Sequence, residues 1–189
     1  GLFLVDAQAP GITQTPARLM DGRQYVAFEF ADVPESSGQW LAGGTAERDW
    51  AQVLNNATVI LAAEMLGSAR ELCERTVEYL KEREQFDAKI GSFQALQHRA
   101  AHMYTELELS QAAVDAALVS FDSGQGDQYA LVSAAKALAN DCFQLISDEA
   151  VQMHGGMGVT DELDIGLFLK RSRVCNRLLG DAHWHRLRY

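Results

Sequence analysis

Residues 152–160 read QMHGGMGVT, with Gly155, Gly156 and Gly158 crowded into four positions beside His154. They follow a long stretch with apolar residues at helical spacing. Three readings compete: a helix stop, a phosphate cradle or a metal loop. A dinucleotide fingerprint, G-x-G-x-x-G, would follow a strand and open a helix. This cluster has another spacing and closes a helix, so a doubly wound α/β fold is excluded. One glycine suffices to end a helix. Two adjacent ones let a ligand or another backbone come very close. Gln152, one turn earlier, offers a donor and an acceptor.

Upstream of the glycines the pattern stays helical to about residue 47. ILAAEMLGSARELCERTVEYL, residues 60–80, places Leu61, Met65, Ala69, Leu72, Thr76 and Leu80 on one stripe, flanked by Leu66, Cys73 and Val77. A turn around DAKIGS follows, with Ser92 as the expected N-cap of a second helix from about Phe93 to Phe121. DSGQGD is the next turn. A third, alanine-rich helix runs from about Gln128 to His154, and its small side chains let neighbours approach closely. ELDIGLFLKRSRVCNRLLGDAHWHRLRY reads as one or two more helices. Residues 1 to about 32 look extended: LFLVDA is one strand, YVAFEF another, with turns at APGIT and DGRQ, and VPESSGQWLAGG reads as a loop. The expected fold is mainly α: an up-down four-helix bundle over 47–189, preceded over 1–46 by a short β remnant of a second domain and a linker.

The 189 residues, 48% hydrophobic and 22% charged, describe a globular chain. A net charge of −10 argues against nucleic-acid binding, which needs basic patches. No apolar run is long enough to insert in a membrane. The chain opens on GLFLVDA rather than Met, in mid-strand character, and is read as a piece of a longer or processed protein. Cys73, Cys142 and Cys175 are far apart and lie in apolar helical contexts, so they are expected as core thiols of a cytoplasmic protein. Lys170, Arg171, Arg173, Arg177, Arg186 and Arg188 crowd the last twenty positions. They are either a solvated helix face or a surface for an anionic ligand or acidic partner.

Other candidate chemistry is weaker. His98 and His102 in HRAAH share a helix face, but Arg99 stands where a zinc protease would carry Glu, and no third ligand is apparent. His183 and His185 in HWH point apart on a helix. No metal site is expected. KEREQF, residues 81–86, ends the first helix. It is either a solvated turn with Phe86 packed inward, or a place where Arg83 offers its planar fork to a phosphate.

YLKEREQFDAKIGSFQALQHRAAHM and QMHGGMGVTDELDIGLFLKR together resemble the C-terminal domain of the acyl-CoA dehydrogenase family. The Arg-x-x-Phe-Gly turn of that family is matched by Arg83 and Phe86, the helix-opening Phe-Gln by Phe93 and Gln94, and the Gln-x-x-Gly-Gly turn by Gln152, Gly155 and Gly156. LFLVDAQAPG resembles the end of its middle β-domain. The resemblance implies FAD as cofactor, an acyl-CoA substrate undergoing α,β-dehydrogenation, and a homo- or hetero-oligomeric dimer or tetramer. It implies that Arg83, Phe86, Gln152, Gly155 and Gly156 contact the adenosine and pyrophosphate end of FAD, with the two turns contributed by different subunits.

The sequence departs from the family in three ways. Asp87 replaces the Gly after Phe86. The family base is a Glu at one of two positions, and these hold Leu179, before Gly180, and Ala57. Neither can accept a proton. The polar residue after Gly180 is Asp181. Glu64, two turns after Ala57, is the remaining candidate base, with a carboxylate paired to an arginine as the alternative. An enzyme of this family with the catalytic residue unassigned is therefore expected, or else a non-catalytic subunit of a heteromeric dehydrogenase that lends FAD-interface and assembly surface.

Overall fold

The structure, a computed structural model, describes residues 1–189 apart from the side chain of Ala42. It divides into two compact units, Gly1–Leu54 and Asn55–Tyr189.

The first unit holds two antiparallel pairs. β1 (Leu2–Val5) pairs with β4 (Gly38–Ala42), and β2 (Ile12–Arg18) pairs with β3 (Gln24–Phe30) from Ile12↔Phe30 to Arg18↔Gln24. β4 corrects the loop expected over VPESSGQWLAGG. The Gly and Ser residues of that stretch carry no strand signal, but pairing with β1 satisfies the β4 backbone, and the Phe3 and Trp40 rings meet edge to face at 4.6 Å.

The second unit is helical. α1 (Ala46–Glu82) begins in the first unit and continues through the second. Its stripe of Leu61, Met65, Ala69, Leu72, Thr76 and Leu80 is buried, and the Thr76 hydroxyl donates to Leu72 O at 2.7 Å. A short hairpin, β5 (Glu84–Gln85) and β6 (Ala88–Lys89), leads into α2 (Gln94–Ser123). α3 (Gln128–His154) lies at the centre, packed against α2, α4 (Ile165–Cys175) and α5 (Ala182–Arg188). Met103, Leu107 and Val114 of α2 meet Val132, Phe143 and Ile146 of α3 in one core with the α1 stripe. Each such side chain contributes about 1.5–3 kcal/mol by leaving water. The shorter α4 and α5 occupy the fourth place of the bundle.

Ser92 is not the N-cap of α2. Phe93 holds that place without a side-chain bond, because Ser92 sits in a 3₁₀ turn and its hydroxyl donates to Lys89 O at 2.6 Å. α3 is capped by Asp127, which accepts from Ala130 N at 3.1 Å, and α5 by Asp181, which accepts from Trp184 N at 2.8 Å. The C-terminal basic residues work inside the chain: Arg171 pairs with Glu64, Arg173 with Asp148, Arg186 with Asp141 and Arg177 with Asp181, while Arg188 donates to Asn55. They staple α4 and α5 to α1 and α3. Five of the six basic residues thus have partners within the chain.

Candidate functional site

Two helix ends converge. α1 stops at Glu82, and Arg83 follows it; Ile90 N donates to Arg83 O at 2.9 Å and closes the hairpin. Phe86 and Asp87 form its tip, both in the left-handed region, with φ of 57° and 58°. Such two-residue turns suit Gly, Asn or Asp, which explains how Asp87 can replace glycine. Phe86 is different. A bulky residue in this conformation carries strain of about 1–3 kcal/mol, yet its ring is 89% exposed. The inward packing considered from sequence is therefore wrong: the turn geometry throws the ring outward, with its centroid 6.3 Å from that of Phe93 in an edge-to-face arrangement.

α3 stops at His154. Its ring stacks on Tyr79 of α1, with centroids 4.1 Å apart, and its Nδ1 donates to Ala150 O at 2.7 Å. Burial pushes the imidazole below its ordinary value, so it is neutral near pH 7. Tyr79 Oη reaches His154 O at 3.5 Å. The stack ties the end of α1 to the end of α3. Between them lies a cleft of about 460 Å³, lined by Arg83 and Gln85 on one side and by Gln152, Gly155, Gly156 and Thr160 on the other.

The three glycines divide by physical cause. Gly155 takes φ 59°, ψ −136°, a conformation open essentially to glycine alone. Gly158 is packed, since a Cβ there would lie 2.7 Å from Val151 O. At Gly156 a Cβ would meet nothing within 4 Å, and φ is not positive. The fold of this chain gives no reason for glycine at 156, which leaves an open backbone face on the cleft. Among the described residues, neither the Arg83 guanidinium nor the Gln152 amide has a hydrogen-bond partner. A cation with a planar donor fork, an amide and bare backbone suit an anionic, hydrogen-bonding ligand.

The structure thus brings Arg83, Gln152, Gly155 and Gly156 onto one cleft of the chain. Phe86 stands outside it at the hairpin tip. None of the three candidate base positions lines it. Both Glu64 oxygens are engaged by Arg171, Oε1 with Nε at 2.8 Å and Oε2 with Nη2 at 3.0 Å. Ala57 is half-buried on α1. Leu179 sits in a left-handed turn at φ 58°. His98 and His102 are exposed, and no cluster of three or more metal-ligating side chains occurs among the described residues. The three cysteines are free and buried, and burial pushes the Cys142 thiol up to about 12.

Sequence reasoning missed two groups. Tyr79 lies one turn before Arg83, a spacing that puts both on one face. Lys136 stands alone in SAAKALA and is fully buried; a lone cation in an alanine-rich helix was the available signal.

A family model described as the C-terminal domain of acyl-CoA dehydrogenase matches residues 49–188. The acyl-CoA dehydrogenase IpdE2 of Mycolicibacterium smegmatis is 36% identical over 126 residues, covering 67% of this chain and 39% of its own. A solved Tcur3481–Tcur3483 steroid ACAD variant superposes with a TM-score of 0.88 at 30% identity, over 100% of this chain and 50% of that one. The ChsE4–ChsE5 complex from Mycobacterium tuberculosis gives 0.87 at 25% identity, over 98% and 50%. The chain therefore spans half or less of the length of these proteins. It belongs to the acyl-CoA dehydrogenase family, and residues 49–188 are the C-terminal helical domain of that family.

Proposed function

We propose that this chain is part of a flavin-dependent acyl-CoA dehydrogenase that introduces an α,β double bond into an acyl-CoA thioester. In this reading it carries the adenosine and pyrophosphate side of the FAD site. One observation carries the reading: unpartnered Arg83 and Gln152 face a cleft beside Gly156, whose missing side chain serves nothing in the chain itself. Arg83 would pair with a phosphate, Gln152 would donate and accept hydrogen bonds, and the backbone at Gly155–Gly156 would allow close approach. Phe86, held outward under strain, would add an apolar contact from the hairpin. The bound flavin would supply the hydride acceptor. The test is flavin retention by the full-length protein after gel filtration, with Arg83→Ala beside wild type. Equal retention would overturn the assignment.

A second reading has its own support. The two family base positions hold Leu179 and Ala57, and the Glu64 carboxylate is clamped by Arg171. A chain without a free carboxylate at these places suits a non-catalytic subunit paired with a homologue that supplies the base. Two of its structural neighbours are named for pairs of proteins, and one is described as a steroid ACAD. The acyl-CoA panel for assay should therefore include steroid thioesters. Robust turnover by the unmodified full-length protein alone would exclude this second reading. The three buried free thiols suit a cytoplasmic setting, and no helix among the described residues is long and apolar enough to cross a membrane.

A further inference from the structure

The link between α4 and α5 is held from beneath by two buried basic side chains. Lys136 of α3 is fully buried. Its Nζ donates to Asn140 Oδ1 at 2.7 Å, to Cys175 O at 3.0 Å and to Gly180 O at 3.1 Å. Cys175 ends α4, so the ammonium sits at the negative end of that helix. His185 of α5 is also fully buried, and its Nε2 donates to Leu179 O at 2.9 Å. The two residues gripped in this way, Leu179 and Gly180, both have positive φ, 58° and 103°. A Cβ at Gly180 would lie 2.6 Å from the Trp184 ring and 3.0 Å from His185 Nε2, so only glycine fits there. Leucine in a left-handed conformation persists only where its surroundings over-determine it.

We propose that Lys136 is the positioning residue of the Leu179–Gly180 turn: with His185, it holds the backbone at residue 179 in a strained conformation and so decides where that side chain is presented. All three ammonium hydrogens are used, two of them on carbonyls that bracket the turn. No carboxylate pairs with Lys136 at hydrogen-bond distance among the described residues, so its charge is stabilised by these dipoles. Asp181, at the start of α5, adds a longer-range attraction, and burial lowers the Lys136 pKa to about 8. The groups around it are Asn140 on α3, Cys175 on α4, Asp181 after the turn and His185 on α5.

The consequence at the substrate rests on the proposed function, in which residue 179 occupies a family base position. The clamp itself does not. Hydrogen exchange of the full-length protein, read by mass spectrometry, tests the clamp. Lys136→Met keeps the length of the side chain and removes its donors. Exchange over residues 177–182 is expected to quicken about tenfold or more, with α1, α2 and the middle of α3 unchanged. Wild-type protection of the turn in a folded Lys136→Met protein would overturn the proposal. If that variant fails to fold, the wild type still decides. Along a urea series, acylation of the Lys136 amine and exchange of the turn are expected to open together, below global unfolding. A turn that exchanges freely while Lys136 stays unlabelled would overturn it. The role at the substrate is read separately, in a full-length Leu179→Glu protein that turns over acyl-CoA. Adding Lys136→Met should lower kcat at least tenfold with KM little changed, and Lys136→Arg should recover part of the loss. An inactive Leu179→Glu protein would count against the functional reading alone, because the exchange experiment judges the clamp without it.

Discussion

At Gly155 and Gly156 the same residue type serves two purposes, and mutation separates them. Gly155→Ala forces a side chain onto φ 59°, ψ −136° and should cost about 1–3 kcal/mol of stability in urea unfolding. Gly156→Ala meets open space within the chain and should stay within about 0.5 kcal/mol of wild type, while flavin retention falls. If Gly156→Ala retained flavin fully, the backbone at 156 would not be a ligand contact. On the proposed function, Arg83→Ala would remove a charge-assisted phosphate bond and should weaken flavin binding by about 1.5–3 kcal/mol, roughly 10- to 100-fold. Its unfolding midpoint should not move, since the exposed guanidinium has no partner among the described residues. Leu179→Glu asks the converse question, by putting a carboxylate back at a family base position. A general base contributes roughly 10²–10⁴-fold, so dye reduction by the full-length variant with an acyl-CoA panel should rise well above wild type.

Helix ends set the behaviour at the next scale. Asp127 caps α3, whereas Ser92, the cap expected from sequence, caps nothing. Asp127→Ala should therefore cost about 1 kcal/mol, and Ser92→Ala close to none, a contrast that thermal unfolding of the two variants reads directly. α5 contributes a pH dependence. His185 titrates at about 4 in the folded chain, because burial opposes its charge, against about 6.5 unfolded. Between these values the unfolded state holds the extra proton, so stability rises with pH through this window and is lost as pH falls through it. Urea unfolding at pH 7 and pH 5 should show a loss of roughly 2 kcal/mol from this group, and His185→Gln should flatten that part of the difference. Buried His154 adds in the same direction.

On the scale of the whole chain, large apolar side chains remain outside the core. Ile60, Leu109, Val119, Leu167 and Leu187 are each more than half exposed, on four different helices. They are side chains that the proposed oligomer would cover. The full-length protein is expected to sediment at micromolar concentration as a dimer or larger assembly. A clean monomer with a sharp thermal transition would refute this. The same measurement on a mixture with a homologue bearing the family Glu would show whether the assembly takes unequal partners.

Much of the bundle was written in periodicity. The α1 stripe, the alanine-rich α3 and the glycine stop at 155 follow from local rules: apolar spacing selects the buried face, and a conformation closed to other residues selects glycine. Spaced motifs likewise marked Arg83, Gln152, Gly155 and Gly156. What local pattern could not hold was long-range pairing. β4 became a strand because β1, more than thirty residues away, completes its hydrogen bonds. Arg171, Arg173 and Arg186 are engaged by carboxylates on α1 and α3, so that Arg171 holds the Glu64 carboxylate. The joining of Arg83 and the glycine turn on one cleft depends on the Tyr79–His154 stack, and the strained turn at Leu179 on Lys136, buried 43 positions earlier. Such contacts are made between residues far apart in the chain, and only the packed core, by excluding water and fixing distances, determines which of them form.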